Sequence, residues 1–317
     1  MRIWECGLRK SKFVFLSYFV ILNSKSEIRN LKFYSTGRLK DKPIKPPLSE
    51  IRRRRVETGY NMPLLRINNM SHDFGGLRAV NNYNLEIEPG QIRGLIGPNG
   101  AGKTTIFNLI SGIYSPTEGD ILLNGKSLVG LKPYQIAAMG LGRTFQNLRL
   151  WRHMTVLDHV KMARYSKIKY GLLGAFFGTP KRRREEAEIE EKAYSLLKLV
   201  GVANLADQII LNLPYGAQRR VEMARALATE PKILFLDEPT AGMNPEELKQ
   251  MMAIIRRIHR ELGLAIFLIE HRLKVVMELC EIIQTLVFGE VIAEGSSEEI
   301  QNDPKVIEAY LGKETIL

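Results

Sequence analysis

One stretch of the chain has the residue types and the spacing of a site that binds phosphate groups. Residues 97–104 read Gly-Pro-Asn-Gly-Ala-Gly-Lys-Thr, which fits the pattern G-x-x-x-x-G-K-[ST]. In such a loop the backbone N–H groups face the anion, Lys103 reaches the β- and γ-phosphates, and the Thr104 hydroxyl can bind Mg²⁺. A glycine-rich turn with a chance lysine is the plainer alternative. The predicted nucleotide-binding residues of the loop are Gly97, Pro98, Asn99, Gly100, Ala101, Gly102, Lys103, Thr104 and Thr105.

Two adjacent carboxylates, Asp237 and Glu238, follow four apolar residues that predict a buried strand. In enzymes with a phosphate-binding loop, an aspartate at such a strand end holds Mg²⁺. A carboxylate beside it can orient and deprotonate an attacking water. An ordinary acidic turn is the alternative. With the loop at 97–104 upstream, we predict that Asp237 binds the metal and that Glu238 is the general base.

Three further candidates stand at single positions. His271 follows the next predicted strand and can link a γ-phosphate to Glu238, although a histidine at a strand end is often only structural. Gln146 can bind Mg²⁺ and sense the γ-phosphate, and a surface loop residue is the alternative. Phe74 can stack on adenine, although spacing alone favours a core phenylalanine.

A second candidate anion site lies at residues 213–220. Pro214 and Gly216 punctuate a loop immediately before an apolar helical pattern at 221–227. A helix N-terminus can bind an anion, but any junction of a loop and a helix gives a similar pattern. The predicted nucleotide contacts in this segment are Tyr215 and Gly216.

The flanking sequence predicts the elements that position these residues. A buried strand at 92–96 precedes the phosphate-binding loop, and apolar residues at helical spacing follow it, namely Ile106, Leu109, Ile110 and Ile113. The other predicted elements are antiparallel strands over 64–88 with a turn at Gly75-Gly76, a strand and turn over 120–125, a helix-rich region over 151–230 with a charged face at 182–191, and strands over 233–237 and 265–270 joined by a helix over 246–262. This order predicts an α/β fold with a mixed sheet, an antiparallel β lobe and a helical lobe at about 147–230.

The composition argues against a nucleic-acid-binding core, a membrane-spanning protein and a disulfide-rich fold. Residues 1–61 hold 15 basic and 5 acidic residues, whereas residues 62–317 hold 31 and 29. The net charge of +12 therefore does not indicate a nucleic-acid-binding core. No apolar run reaches the roughly 18 residues that a membrane span needs. Cys6 and Cys280 lie far apart and suggest no disulfide framework.

Residues 1–61 differ from the remainder of the chain. They contain an apolar stretch at 13–22, a proline-rich stretch at 42–47 and an arginine run at 52–55. The start is superficially like a signal peptide, but no small-residue cleavage site follows. Three interpretations are open: a disordered tail, an interfacial anchor, or translated upstream sequence. We favour the third, with a true start at Met62, because Met62 leads directly into the first strand pattern.

In their order along the chain, these motifs resemble those of the nucleotide-binding subunit of ABC transporters. The resemblance covers residues 62–317 and comprises an aromatic loop at Phe74, a Walker A motif at 97–104, a glutamine loop at Gln146, a signature at 213–218, a Walker B motif at 233–237, the adjacent Glu238 and a histidine loop at His271. The chain is similar, more narrowly, to the ATP-binding subunit of high-affinity branched-chain amino-acid importers. The segments that carry this narrower resemblance are 142–146, 150–156, 171–178, 213–216, 241–245 and 302–312.

The resemblance implies a P-loop NTPase of the ABC type that hydrolyses ATP with Mg²⁺. Glu238, His271 and Lys103 are then the expected catalytic residues, and Thr104, Gln146 and Asp237 the expected metal ligands. Two such subunits sandwich two ATP molecules, each P-loop facing the partner's signature, and a heterodimer with a second ATP-binding subunit is expected. The other implied partners are two integral-membrane permeases and, indirectly, a periplasmic substrate-binding protein, with no nucleic acid. The implied location is the cytoplasmic face of the inner membrane.

The chain departs from the family pattern at several positions. The common signature begins Leu-Ser-Gly-Gly-Gln, whereas this chain has Pro214 in place of the serine. The composite site that uses this signature is therefore expected to be the weaker one, because the serine hydroxyl would donate to the γ-phosphate. Arg272 stands where aspartate is common. An ATPase of a urea or short-amide importer, or an ABC ATPase that is not coupled to transport, is the alternative function.

Overall fold

The computed structural model describes residues 62–168 and 179–311. The predictions for residues 1–61 and for the segment 171–178 lie outside these ranges. Four strands form an antiparallel sheet with the order β2-β1-β4-β5. Their bounds are β1 Leu65–Phe74, β2 Leu77–Ile87, β4 Glu118–Leu123 and β5 Lys126–Ser127. The predicted turn at Gly75-Gly76 is confirmed, and the strand predicted at 120–125 begins two residues earlier.

A second sheet has the order β10-β9-β3-β8-β7-β6. Its strands are β3 Ile92–Ile96, β6 Leu141–Arg143, β7 Ile233–Asp237, β8 Ala265–Ile269, β9 Ile282–Val287 and β10 Glu290–Gly295. Pairing is parallel from β9 through β3, β8 and β7 to β6, and β10 pairs antiparallel to β9. Every residue of β3, β7 and β8 is buried, as expected for strands covered on both faces. The predicted α/β fold with a mixed sheet is confirmed.

Helices cover both faces of this second sheet. They are α1 Lys103–Ile110, α2 Pro133–Met139, α3 Val156–Arg164, α4 Pro180–Leu199, α5 Tyr215–Ala228, α6 Pro245–Leu262, α7 Leu273–Leu279, α8 Ser297–Asn302 and α9 Pro304–Leu311. Phe107 of α1 packs against Phe235 and Phe267 at ring-centroid distances of 4.7 and 5.0 Å. Helix α1 thus anchors the core that lies between the two sheets. The core on the opposite face is built with α3–α6.

The helix after the phosphate-binding loop is shorter than the apolar spacing predicts. It ends at Ile110, and Ile113 lies beyond it with 41 % of its surface exposed. Gly112 has φ 71°, and its N–H donates to the carbonyl of Leu109. A left-handed glycine just past the last turn terminates a helix, and this is why the helix does not extend to Ile113. The prediction that Ile113 belongs to this helix was therefore wrong.

The topology brings three loops to one edge of the sheet. Strands β3, β8 and β7 are parallel neighbours, and their carboxyl ends precede the phosphate-binding loop, His271 and Glu238 respectively. In open parallel sheets, ligands bind outside the carboxyl ends of the strands. The predicted site residues of these three segments therefore converge from widely separated parts of the sequence.

Candidate functional site

The phosphate-binding loop is held in a conformation that requires glycine at its start. Gly97 has φ 149°, and a Cβ atom there would lie 2.1 Å from the carbonyl oxygen of Leu286. The N-cap of α1 is Gly102, and within the described part of the chain no side chain caps this helix and no acidic residue occupies its first turn. The N–H groups of the first turn lack intrahelical acceptors. The positive end of α1 is therefore available to an anion.

Lys103 lies at the base of this loop with 6 % of its surface exposed. Its ammonium donates to the carbonyl oxygens of Gly97 at 2.7 Å and of Pro98 at 2.8 Å. Burial lowers the pKa of Lys103, and the carboxylates of Glu238 and Asp237 act in the opposite direction. An ammonium has three N–H donors, so one remains to contact a phosphate once these two carbonyls are bound.

A cavity of about 430 Å³ opens above the loop. It brings together several of the predicted site residues, namely Asn99, Gly100, Ala101, Gly102, Lys103, Thr104, Thr105, Gln146 and Glu238. Four residues that the sequence did not indicate also line it: Leu77, Arg78, Ala79 and Phe288. The loop, the glutamine and the predicted general base thus share one cavity.

Glu238 is the point where two of the other predicted residues meet. It follows β7 with φ 48°, and its Oε2 accepts a hydrogen bond from Gln146 Nε2 at 3.3 Å. The same Oε2 lies 3.8 Å from His271 Nδ1. His271 Nδ1 is also 3.7 Å from the fully buried Glu270, which accepts from the backbone N–H and the hydroxyl of Thr240. The ring of His271 is therefore placed between two carboxylates at adjoining strand ends.

Asp237 is buried beside the same strand end. Its Oδ2 accepts from Arg143 at 3.2 Å, whereas its buried Oδ1 has no hydrogen-bond partner among the described residues. Burial raises the pKa of Asp237, and Arg143 partly offsets this effect. A buried carboxylate oxygen that is still available suits a hard cation, and Mg²⁺ is usually held by one or two protein oxygens together with substrate phosphates. The described residues contain no cluster of His, Cys, Asp and Glu that could hold a metal unaided.

Five predicted nucleotide contacts lie outside the cavity lining, namely Phe74, Gly97, Pro98, Tyr215 and Gly216. Phe74 packs edge-to-face on His72 and Tyr114 at centroid distances of 4.5 and 5.3 Å. Tyr215 begins α5 and is half-exposed, and Gly216 is buried against Glu247. The roles of Phe74, Tyr215 and Gly216 therefore remain predictions.

A buried ion pair that the sequence analysis missed holds the Gln146 segment. Arg219 and Glu222 are 4 % and 1 % exposed and lie 3.1 Å apart. Arg219 donates to the carbonyl oxygens of Phe145 at 2.6 Å and of Gln146, and its Nε donates to Tyr215 Oη at 2.8 Å. Glu222 Oε1 accepts from the N–H of Phe145 at 3.2 Å. The i, i+3 spacing of opposite charges in α5 was the available signal.

The order of these elements is that of one transporter family. Residues 80–241 match the sequence profile described as ABC transporter, which spans more than half of the chain. The chain belongs to the ABC transporter family. Residues 290–315 also match the profile described as branched-chain amino acid ATP-binding cassette transporter. The sequence-based assignment to an ABC nucleotide-binding domain is therefore confirmed.

Relatives and solved structures agree with this assignment. The high-affinity branched-chain amino acid transport ATP-binding protein LivG of Escherichia coli is 46 % identical over 253 residues, which is 80 % of this chain and 99 % of LivG. BraF of Pseudomonas aeruginosa, which carries the same description, is 42 % identical over 79 % of this chain and 98 % of its own length. The ADP conformation of an ATP-binding cassette of an ABC transporter superposes with a TM-score of 0.70 at 30 % identity, covering 80 % of this chain and 100 % of that one. A dimeric cassette bound to ADP and Pi gives 0.63 at 25 % identity, covering 74 % and 98 %.

Proposed function

We propose that this chain is the ATP-hydrolysing subunit of an importer of branched-chain amino acids. The main support for ATP hydrolysis is that Lys103, Gln146 and Glu238 line one cavity. The named relatives supply the substrate, because LivG and BraF are described as branched-chain amino acid transport proteins and are matched over nearly their whole length.

Hydrolysis transfers the γ-phosphoryl group of ATP to water. The first-turn N–H groups of α1 and the ammonium of Lys103 bind the phosphate oxygens and stabilise the charge that develops on them. Glu238 accepts the proton of the attacking water, and the donor from Gln146 at 3.3 Å orients its carboxylate. His271, at 3.8 Å from the same oxygen, contacts the γ-phosphate and holds Glu238 in place.

Mg²⁺ is the metal that these residues suit. Asp237, Thr104 and Gln146 would hold it, and the buried Oδ1 of Asp237 supports this assignment. When bound, the ion neutralises charge on the β- and γ-phosphates. Arg143 meanwhile fixes the carboxylate of Asp237 through Oδ2.

The complete site requires a second ATP-binding subunit. Tyr215 and Gly216 belong to the signature and lie outside the cavity of their own chain. In a head-to-tail dimer, this signature would cover the nucleotide of the partner. The dimeric cassette with ADP and Pi supports such an arrangement. We expect the partner to be a different ATP-binding subunit.

A groove beside the Gln146 segment suits the membrane partner. It encloses about 520 Å³, and its lining includes Tyr134, Phe145 and Trp151, with Tyr134 and Trp151 more than half exposed. Arg149 stacks on Phe145 at 4.2 Å and both residues line the groove, so a segment that enters it would lie beside the residue that precedes Gln146. We assign this groove to a permease, two of which would form the pore. None of the helices in the described ranges combines the length and the apolar character that a bilayer crossing requires.

Uptake measured in cells tests the transported substrate. A strain that lacks this subunit should lose import of radiolabelled leucine, and expression of the intact chain should restore it. This subunit would lie at the cytoplasmic face of the inner membrane, and the full transporter would receive its substrate from a periplasmic binding protein. Normal leucine import together with lost import of urea or a short amide would refute the proposed substrate.

A further inference from the structure

An exposed aromatic ring stands at the mouth of the nucleotide cavity. Phe288 lines this cavity, and 89 % of its surface is exposed. Leu77 lines the same cavity and is 69 % exposed. Exposed apolar side chains that lie together and are surrounded by polar residues mark interaction sites. Both side chains line the cavity to which we assign the nucleotide.

The backbone at Phe288 departs from the residue preference of its turn. Val287 pairs with Glu290, so Phe288 and Gly289 form a two-residue hairpin turn, with φ values of 48° and 83°. Both central residues of such a type I′ turn have positive φ, and Asn-Gly is strongly preferred. A bulky aromatic residue with positive φ is a strained outlier. Residues that break a local rule in this way concentrate at functional sites.

Backbone hydrogen bonds fix this turn against the phosphate-binding loop. The N–H of Gly289 donates to the carbonyl of Ala101 at 2.9 Å, and the carbonyl of Gly289 accepts from the N–H of Asn81 at 2.9 Å. Leu286, just before the turn, packs so closely on Gly97 that it excludes any side chain there. The backbone of Phe288 is therefore held at a fixed position relative to the phosphate-binding loop.

The cavity has two chemically different parts. Residues 99–105 offer amides, hydroxyls and an ammonium, whereas Leu77, Ala79 and Phe288 offer apolar surface beside Arg78, whose guanidinium pairs with Asp73. A nucleoside triphosphate has the matching halves, a polyanionic chain and a planar base. Phe74, the residue expected to stack on the base, lies in a separate ring cluster with His72 and Tyr114.

We propose that Phe288 contacts the base of the bound nucleotide and contributes to the affinity for ATP. The inference rests on the proposed function, because it needs the triphosphate to occupy the loop. A base on an aromatic ring contributes enough for its loss to weaken binding at least about fivefold.

The experiment compares two ligands on the full chain. Calorimetry measures the binding of Mg-ATP and of inorganic tripolyphosphate, which has no base, to wild type and to Phe288→Asn. Asparagine accepts the positive φ of this turn, so the variant should fold at least as well as wild type. We expect it to bind ATP at least about fivefold more weakly and tripolyphosphate with unchanged affinity.

Two further variants complete the test. Phe288→Tyr keeps the ring and should retain the affinity for ATP, and Tyr194→Ala removes a partly exposed ring from α4, remote in sequence from the loop, and should change neither affinity. An unchanged affinity of Phe288→Asn for ATP, or an equal loss of both ligands, would overturn the inference. Wild-type protein that binds neither ligand would overturn the proposed function as well.

Discussion

The ion pair that holds the Gln146 segment makes the sharpest prediction for stability. Arg219→Met keeps the apolar stem of the side chain but removes the cation from Glu222 and the donors from the carbonyls of Phe145 and Gln146. Both charged side chains are at least 96 % buried. Breaking such a pair from one side leaves an uncompensated charge and costs about 3–5 kcal/mol. We expect the free energy of unfolding to fall by that amount.

A double variant distinguishes the cost of leaving one buried charge unpaired from the cost of losing the ion pair itself. Arg219→Met with Glu222→Gln removes both charges, and the amide oxygen can still accept from the N–H of Phe145. Because the stranded carboxylate is gone, the double variant should recover about 1–3 kcal/mol relative to Arg219→Met. The matched control is Arg257→Met, whose half-exposed pair with Glu261 should cost less than about 1 kcal/mol.

We also expect the stability of Arg219→Met, but not that of the double variant, to depend on pH through Glu222. Burial raises the pKa of Glu222, and the guanidinium of Arg219 lowers it. Without Arg219 the folded-state pKa rises further, while the unfolded chain ionises near the usual value of about 4.3. Between the two pKa values the folded state holds a proton that the unfolded state releases. The stabilisation from this proton is therefore complete below the unfolded-state pKa and is lost as the pH rises through the folded-state pKa. The double variant should lack this slope.

Urea unfolding followed by circular dichroism between pH 4 and 8 measures both effects, and ATP hydrolysis at saturating Mg-ATP reports on Gln146. Arg219→Met should lower kcat because the carbonyl of Gln146 loses its donor. A loss of stability below about 1 kcal/mol with unchanged kcat would refute the reasoning.

Three other predictions concern the loop, the signature and the leader. Gly97→Ala places a Cβ against the carbonyl of Leu286, so it should lower the free energy of unfolding by about 1–3 kcal/mol and weaken ATP binding. Gly76→Ala is the control, because its Cβ meets open space and should change neither quantity. Equal melting temperatures for the two variants would contradict this prediction. Pro214→Ser restores a hydroxyl that can donate to the γ-phosphate, and such a hydrogen bond to a charged group contributes about 1.5–3 kcal/mol. Hydrolysis at the composite site that uses this signature should therefore become roughly tenfold to a hundredfold faster in single-turnover assays. An unchanged rate would contradict the expectation that this composite site is the weaker one. Deletion of residues 1–61 should leave the ATPase rate unchanged, and a tenfold loss would exclude a dispensable leader.

The sequence predicted the parts of the site that lie in contiguous motifs. The loop at 97–104, Glu238 and His271 each follow a buried strand, and parallel neighbouring strands bring their carboxyl ends together. Local pattern and topology therefore suffice to place them in one region. Gln146, predicted to bind Mg²⁺ and to sense the γ-phosphate, contacts the predicted base Glu238.

Other features depend on contacts that no local pattern encodes. Arg219 reaches carbonyl groups 73 and 74 residues earlier in the chain, and only the packing of α5 shows this. Phe288 lines the cavity because of the register of one hairpin and its hydrogen bond to Ala101. Phe74 packs with the rings of His72 and Tyr114, contacts that its place in the motif order did not indicate.

The rate of ATP hydrolysis by Glu238→Gln tests the central claim most directly. Glutamine preserves the shape of the side chain and the contact with Gln146 but cannot accept the proton of water. Removal of a general base should lower kcat by about 10²- to 10⁴-fold, while the affinity for Mg-ATP stays within about twofold of wild type. Hydrolysis at the wild-type rate would contradict the account, because Glu238 would then not be the base.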